Sequence, residues 1–230
     1  MKKINFKTII STLILASFIL SIIFMIYKII TLHGNNTEEI ETRSRCVIIL
    51  VECIVGIIGF LIPIIISKKA KIIIPPILFI IYILFLFGCI VLGEVFDLYN
   101  VIPKWDIILH TYSGLMLGLI GLSFAYLLNK DNVKLSLIFI AIFIFCFAIS
   151  IGVVWEIIEF TNDSIFAGNA QRYLTEDSIA LIGRDALMDT MEDLIVDTIG
   201  ALVISVFSYI SIKHNKPWVD KFIIKKEITK

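Results

Sequence analysis

The chain has 230 residues, 59% of them hydrophobic and 17% charged, with a mean hydropathy of +0.98, which is more apolar surface than a soluble domain of this length can bury. Its 20 acids balance its 20 bases, and no clustered basic patch or glycine-rich phosphate loop speaks for a nucleic-acid or nucleotide partner. The apolar residues come in unbroken runs of about twenty, the length a helix needs to cross ~30 Å of hydrocarbon, which excludes the alternating strands of a membrane barrel.

Six spans are predicted, at 8–30, 46–67, 72–93, 106–128, 134–158 and 189–212, and the whole of 1–230 reads as one all-α, multi-pass integral membrane domain. The start at Met1-Lys2-Lys3 could be taken for a signal peptide. The apolar run from Ile9 to Ile30 exceeds an h-region of about fifteen residues, and no small-x-small cleavage site follows, so an uncleaved first helix is expected. Thr31 to Arg45 reads as an acidic, solvated outer loop. Lys68-Lys69-Ala70-Lys71 leaves room only for a tight turn, and Pro63, Pro75 and Pro76 start or kink helix ends nearby.

Cys46 and Cys53 are seven residues apart on one helix, about 10 Å by rise, too far to bridge each other. Cys89 and Cys146 read as small packing residues. Asn35-Asn36-Thr37 and Asn162-Asp163-Ser164 fit a glycosylation sequon that matters only in a eukaryotic secretory pathway, whereas the abundance of Ile, Lys, Asn and Phe looks like a bacterial coding bias. The long outer connection, 160–188, holds Tyr173, Leu174, Ile179, Leu181, Ile182, Ala186 and Leu187 at roughly helical spacing. It is either a short amphipathic helix on the membrane surface or an ordinary connector. The lysine-rich tail, 213–230, suits anionic lipid headgroups.

Lysine and arginine fix the orientation. With the N-terminus inside, Lys2, Lys3, Lys7, Lys68, Lys69, Lys71, Lys130, Lys134 and the six tail lysines are cytoplasmic, leaving Lys28, Lys104, Arg43, Arg45, Arg172 and Arg184 outside. Both termini are therefore expected in the cytoplasm of a cell membrane. Of the acids, only Asp131, Asp220 and Glu227 are cytoplasmic under this topology.

Polar residues enter the spans at one end only. Asp106, His110 and Ser113 share a face at the start of the fourth span, where Gly114 and Gly118 allow a neighbour to approach closely. Glu156 and Glu159 sit one turn apart at the end of the fifth. Asp189, Asp193 and Asp197 recur every four residues at the start of the sixth, a stripe about 12 Å long at 1.5 Å rise per residue. Chain direction brings these segments to the same outer face, with Glu52, Glu94 and Asp97 at a similar level, so that one site can draw on five helices.

A charged group at a span's centre costs about 2.5–3.5 kcal/mol on insertion scales. Arg184, Arg172 and Lys104 are too few to pair with these acids, so either several carboxylates hold protons or a divalent metal ion binds them. Histidine with carboxylates suits Zn²⁺, Mn²⁺ or Fe²⁺. In the catalytic reading His110, Asp106, Glu156, Asp189, Asp193 and Asp197 are candidate ligands, and Glu159, with Asp106, a candidate catalytic group. The same groups could relay protons or cations in a transporter, or form an interhelical network in a structural or resistance-type accessory protein.

These motifs resemble the YjdF-like family of uncharacterised bacterial integral membrane proteins: Trp105-Asp106 with His110 and Ser113-Gly114, Trp155-Glu156 with Glu159, then Asp189-Thr190 with Asp193, Asp197 and Gly200-Ala201. The resemblance spans roughly 90–205. A looser likeness is to VanZ-like proteins, associated with glycopeptide resistance. The nearer resemblance implies a helical membrane bundle and these site residues, and it names no reaction; the looser one shares an Asp-x-x-x-His entry and a late Asp-rich helix ending in Gly-Ala. The expected partners are the lipid bilayer and a lipid or small-molecule substrate, with the oligomeric state open.

Overall fold

A computed structural model describes residues 6–33, 36–128, 135–166, 168–175 and 177–227. Lys2, Lys3, Asn35, Lys130, Asp131, Lys134 and Lys230, used above for orientation or the sequon, lie outside the described residues. Among the described residues six helices are long and apolar enough to cross a membrane. They are α1 (Phe6–Thr31), α2 (Thr37–Ala70), α3 (Pro76–Leu86) continued by a π-helical stretch (Phe87–Val95), α5 (Trp105–Leu128), α6 (Leu137–Phe166) and α7 (Met188–Lys213). A one-turn α4 (Leu98–Val101) and the two-residue strands β1 (Ile72–Ile73) and β2 (Lys225–Lys226) complete the secondary structure outside short 3₁₀ turns. The outward residues of these helices are large and apolar, among them Ile19 and Leu20 on α1, Ile54 and Ile58 on α2, and Ile138 and Ile142 on α6. That is the surface of an all-α bundle solvated by lipid.

Two compact units are formed, Met1–Trp105 with Lys225–Lys230, and Asp106–Ile224. In the first, α1, α2 and α3 pack around Phe18, Cys53, Phe60, Phe79, Ile83 and Val91. The Phe18 ring lies where a Cβ on Gly56 would stand, so α1 and α2 approach closely. Tyr82 Oη donates to Gly59 O at 3.0 Å.

Helix α2 starts nine residues before the predicted span, and most of the expected solvated loop is helical. Asn36 accepts a hydrogen bond from Glu39 N at 2.8 Å as an N-cap, and Glu38 and Glu39 sit in the first turn, where the helix dipole favours acids. A search for apolar runs cannot see so polar a beginning. At the other end Lys71 adopts φ +51° and closes α2 through its N–H to Ser67 O, so Lys68, Lys69 and Ala70 belong to the helix rather than to a turn. The third span starts at Pro76, four residues later than predicted. The intervening Ile72 and Ile73 pair antiparallel with Lys226 and Lys225, because Pro75 and Pro76 disfavour helix just before them.

In the second unit the two ends of the helices differ in chemistry. Where α5 and α7 end and α6 begins, Leu122, Ala125, Ile140 and Ile144 pack with Val219 from the segment after α7. That segment folds back. The Trp218 ring stacks 4.7 Å from Phe207, its Nε1 donates to Ser211 Oγ at 3.0 Å, and Ser123 Oγ donates to Phe222 O. Ser205 Oγ donates to Ala141 O at 2.6 Å, tying α7 to α6. Cys46 and Cys53 are buried free thiols, and Cys146 lies on an exposed face of α6 rather than in packing.

Helix α6 runs eight residues past its predicted end, to Phe166. Thr161 and Ser164 bond back to Ile157 O and Phe160 O, satisfying their hydroxyls without leaving the helix, so the second sequon is helical. Among the described residues of the outer connection no amphipathic α-helix forms between Phe166 and Met188. Leu174 and Ala180 form a β-bridge instead, closed by Thr175 N to Ile179 O (2.9 Å) and Leu181 N to Tyr173 O (2.9 Å), with Ser178 at φ +59°. A left-handed residue inside the segment stops a right-handed helix from propagating.

Candidate functional site: a buried histidine among carboxylates

The opposite end of the second unit collects the polar residues. Glycines make this possible. A Cβ on Gly114 would stand 2.5 Å from Asp197 O, and one on Gly200 2.9 Å from Thr111 O, so α5 and α7 meet backbone to backbone. Gly118 faces Ile204 in the same way. On α6, a Cβ at Gly152 would stand 2.8 Å from Asp197 Oδ2, so its absence leaves room for that carboxylate among three helices.

His110 occupies the middle, its side chain 8% exposed. Its Nδ1 lies 3.2 Å from Asp197 Oδ2, and Ser113 Oγ is within hydrogen-bond reach of Asp197 Oδ1 and 2.9 Å from His110 O. An Nδ1–H donated to Asp197 leaves the lone pair on Nε2. That nitrogen faces Asp106 Oδ1 at 3.8 Å and Asp193 Oδ2 at 3.9 Å, both beyond hydrogen-bond length.

Burial deepens along α7, from a side chain 19% exposed at Asp189 to 2% at Asp193 and 4% at Asp197. Glu156 on α6 is 5% exposed. Both of its oxygens, Asp193 Oδ2 and Asp189 Oδ2 are buried without a hydrogen-bond partner. Gln171 and Thr190 flank Glu156, and Gln171 Nε2 donates to Thr190 Oγ1 at 2.8 Å. Leaving a buried carboxylate oxygen unpaired costs at least about 1–3 kcal/mol, so four such atoms at one place are satisfied by a proton, a cation, a bridging water or the neighbouring Gln171 and Thr190.

Two overlapping sets have ligand atoms all within 4.8 Å of one another: His110, Glu156 and Asp193, fully buried, and Asp106, Asp189 and Asp193, nearer the surface. Asp193 belongs to both. Asp197, committed to His110 and Ser113, belongs to neither, and nor does Glu159, which accepts a hydrogen bond from Trp155 Nε1 at 2.8 Å one turn beyond Glu156.

The connection after α6 closes the surface of the cluster. Asp163, 6% exposed, accepts the backbone N–H groups of Ala170 (2.8 Å) and Gln171 (2.9 Å) and so anchors it. Arg172 then reaches Asp106 Oδ2 at 3.3 Å and Asp189 Oδ1 at 3.7 Å. The sequence points to Arg172 as a basic partner and carries Thr190 in the family motif, but it assigns nothing to Gln171 and shows Asp163 only as part of a sequon, because the burial of Asp163 depends on where α6 ends. Arg184 is exposed, and neither it nor Lys104 makes an ion pair among the described residues. Glu52, Glu94 and Asp97 belong to the first unit, where Asp97 pairs with Arg45 at 2.5 Å.

Fold and cluster together define a multi-span α-helical membrane protein with a buried histidine and carboxylate constellation. The chain belongs to the family described as predicted membrane protein (DUF2238), whose model matches residues 10–214. That match carries the YjdF-like resemblance and lends nothing to the looser VanZ-like one. No curated protein and no solved structure matches the chain.

Proposed function

We propose that the cluster holds one divalent metal ion at the outer face of the cell membrane, and that the protein is a metal-dependent enzyme acting on a lipid or envelope precursor. One observation carries the reading. His110 Nε2 faces Asp193 Oδ2 at 3.9 Å, too far for a hydrogen bond, and Glu156 offers an oxygen within 4.8 Å of a ligand atom of each. Two ligands bound to one ion at ~2.0–2.2 Å each stand about 3–4 Å apart, close to this spacing.

The donor set fits such an ion. His110, Glu156 and Asp193 are the ligands, with Asp106 and Asp189 at the surface side. Asp197 and Ser113 orient the imidazole, the outer-shell arrangement that metal-bound histidines commonly have. Asp197 is thus a positioning residue in this reading rather than a ligand.

A bound ion would polarise water or an ester oxygen. Glu159, one helical turn from Glu156, takes the proton of the attacking water and returns it to the leaving oxygen, so that water is added across the cleaved bond. In a bilayer, a site near the ends of α5, α6 and α7 would lie toward headgroup level, where the reactive bond of an amphipathic lipid would be found.

The test uses the full chain purified in detergent, stripped with chelator and titrated with Zn²⁺ or Mn²⁺. One tight equivalent is expected, together with metal-restored release of a headgroup product from envelope lipid extracts. No bound ion sinks the reading, and a bound ion with flux into proteoliposomes but no turnover makes the protein a carrier. Orientation follows the lysine distribution, with both termini cytoplasmic. Cysteines placed at Lys104 and Lys130 are expected to label from outside and inside respectively, and the reverse pattern would turn the site toward the cytoplasm.

A further inference from the structure

We propose that the cluster contains a second divalent-cation position, formed by Asp106, Asp189 and Asp193, which the Arg172 guanidinium fills as a tethered cation that an incoming ion displaces. The inference rests on the one-ion reading above and extends it. Ligand oxygens of the three aspartates lie within 4.8 Å of one another. The sign of a missing ligand is Asp193, whose side chain is 2% exposed and whose buried Oδ2, 3.9 Å from His110 Nε2, has no hydrogen-bond partner. Asp193 is also common to the deeper set with His110 and Glu156, and a carboxylate has two oxygens with which to bridge neighbouring ions.

Arg172 sits where an outer ion's charge would be needed. It contacts one oxygen each of Asp106 and Asp189, at 3.3 and 3.7 Å, while Asp189 Oδ2 stays buried and unpartnered. Neither contact is a short, well-aligned pair, so the guanidinium holds the position without saturating it. Its backbone is held in the left-handed region, φ +46°, a conformation that L-residues adopt only when their surroundings impose it. The segment is held by Asp163 through the two preceding N–H groups, by the turn from Arg172 N to Asn169 O at 3.1 Å, by Asn169 with Leu174, by Gln171 with Thr190 and by Arg172 with the aspartates. Losing the Arg172 contacts removes the segment's tie to Asp106 and Asp189, so a second ion and an engaged Arg172 exclude each other, and filling the outer position loosens the connection around Arg172 while Asp163 still anchors it.

Equilibrium dialysis of the full chain in detergent with Mn²⁺, alongside electron paramagnetic resonance, tests this. Wild type should hold one tight equivalent. Arg172→Gln should hold two, with the spin-coupled spectrum of a close pair and a second equivalent bound about tenfold tighter or better than in wild type. Arg172→Lys, which keeps the charge and guards against misfolding as the cause, should remain at one. In wild type at high Mn²⁺ the second equivalent should appear together with loss of hydrogen-exchange protection at 168–175. A single equivalent in Arg172→Gln, or a second in wild type with protection unchanged, overturns the inference while leaving the one-ion reading intact. No tight equivalent in any of the three proteins overturns that reading itself.

Discussion

His110→Ala is expected to leave a chain that folds but no longer responds to divalent ions. The substitution removes the only nitrogen donor of the buried set and leaves Glu156 and Asp193 alone. Losing an outer-shell partner of a metal-bound histidine typically costs about 10–100-fold in affinity, and losing the ligand itself should cost more. The measurement is the thermal midpoint with and without added ion. An ion at about 100 times its dissociation constant adds about 2.7 kcal/mol of stability, so wild type should melt higher in its presence and His110→Ala should not.

A purely structural histidine gives a different pattern. Asp197 would keep Ser113 but lose its histidine partner in both conditions, and the midpoint would fall equally with and without ion. Asp197→Asn separates the roles further. It keeps the shape beside Gly152 and removes the charge that orients the imidazole, so the ion-dependent rise should shrink by the outer-shell factor rather than vanish. Equal midpoints for stripped and loaded wild type would falsify the metal centre.

Gly114→Val should damage both the fold and the site. Overpacking an ordinary core costs about 1–3 kcal/mol because side chains can shift. Here the added Cβ would stand 2.5 Å from Asp197 O and 3.1 Å from Asp197 Cα, which are backbone atoms inside a helix. Relief requires α5 and α7 to separate, so a loss of about 3 kcal/mol or more is expected, a large share of the ~5–15 kcal/mol that holds a typical domain together. The same separation draws Asp197 away from His110 Nδ1. Size-exclusion profiles and midpoints of detergent-purified Gly114→Val should show a strongly destabilised or aggregated chain. Gly183→Ala, at a position with nothing within 4 Å but φ +66°, should cost only the backbone strain. Near-wild-type behaviour of Gly114→Val would mean that the helices do not approach as described.

The sequence by itself determined the class, the number of spans and the end of the helices at which the polar residues collect. Hydrocarbon imposes a run length on a helix, and Asp106, His110, Asp193 and Asp197 interrupt such runs, so the signal is local and needs no partner to be read. It also anticipated the close approach at Gly114 and Gly118. Helix ends escaped it, because the start of α2 at Asn36 and the end of α6 at Phe166 are set by capping and back-bonding among polar residues that a hydropathy reading discards. What only the tertiary structure decided is the division of labour among look-alike carboxylates. Asp189, Asp193 and Asp197 share one helix face at equal spacing, yet Arg172 takes the first, His110 and Ser113 take the third, and the middle one is left buried with an oxygen unpaired. Spacing gives residues a common face, but the partners that tell them apart arrive from α5, α6 and the connection anchored by Asp163, tens of residues away along the chain.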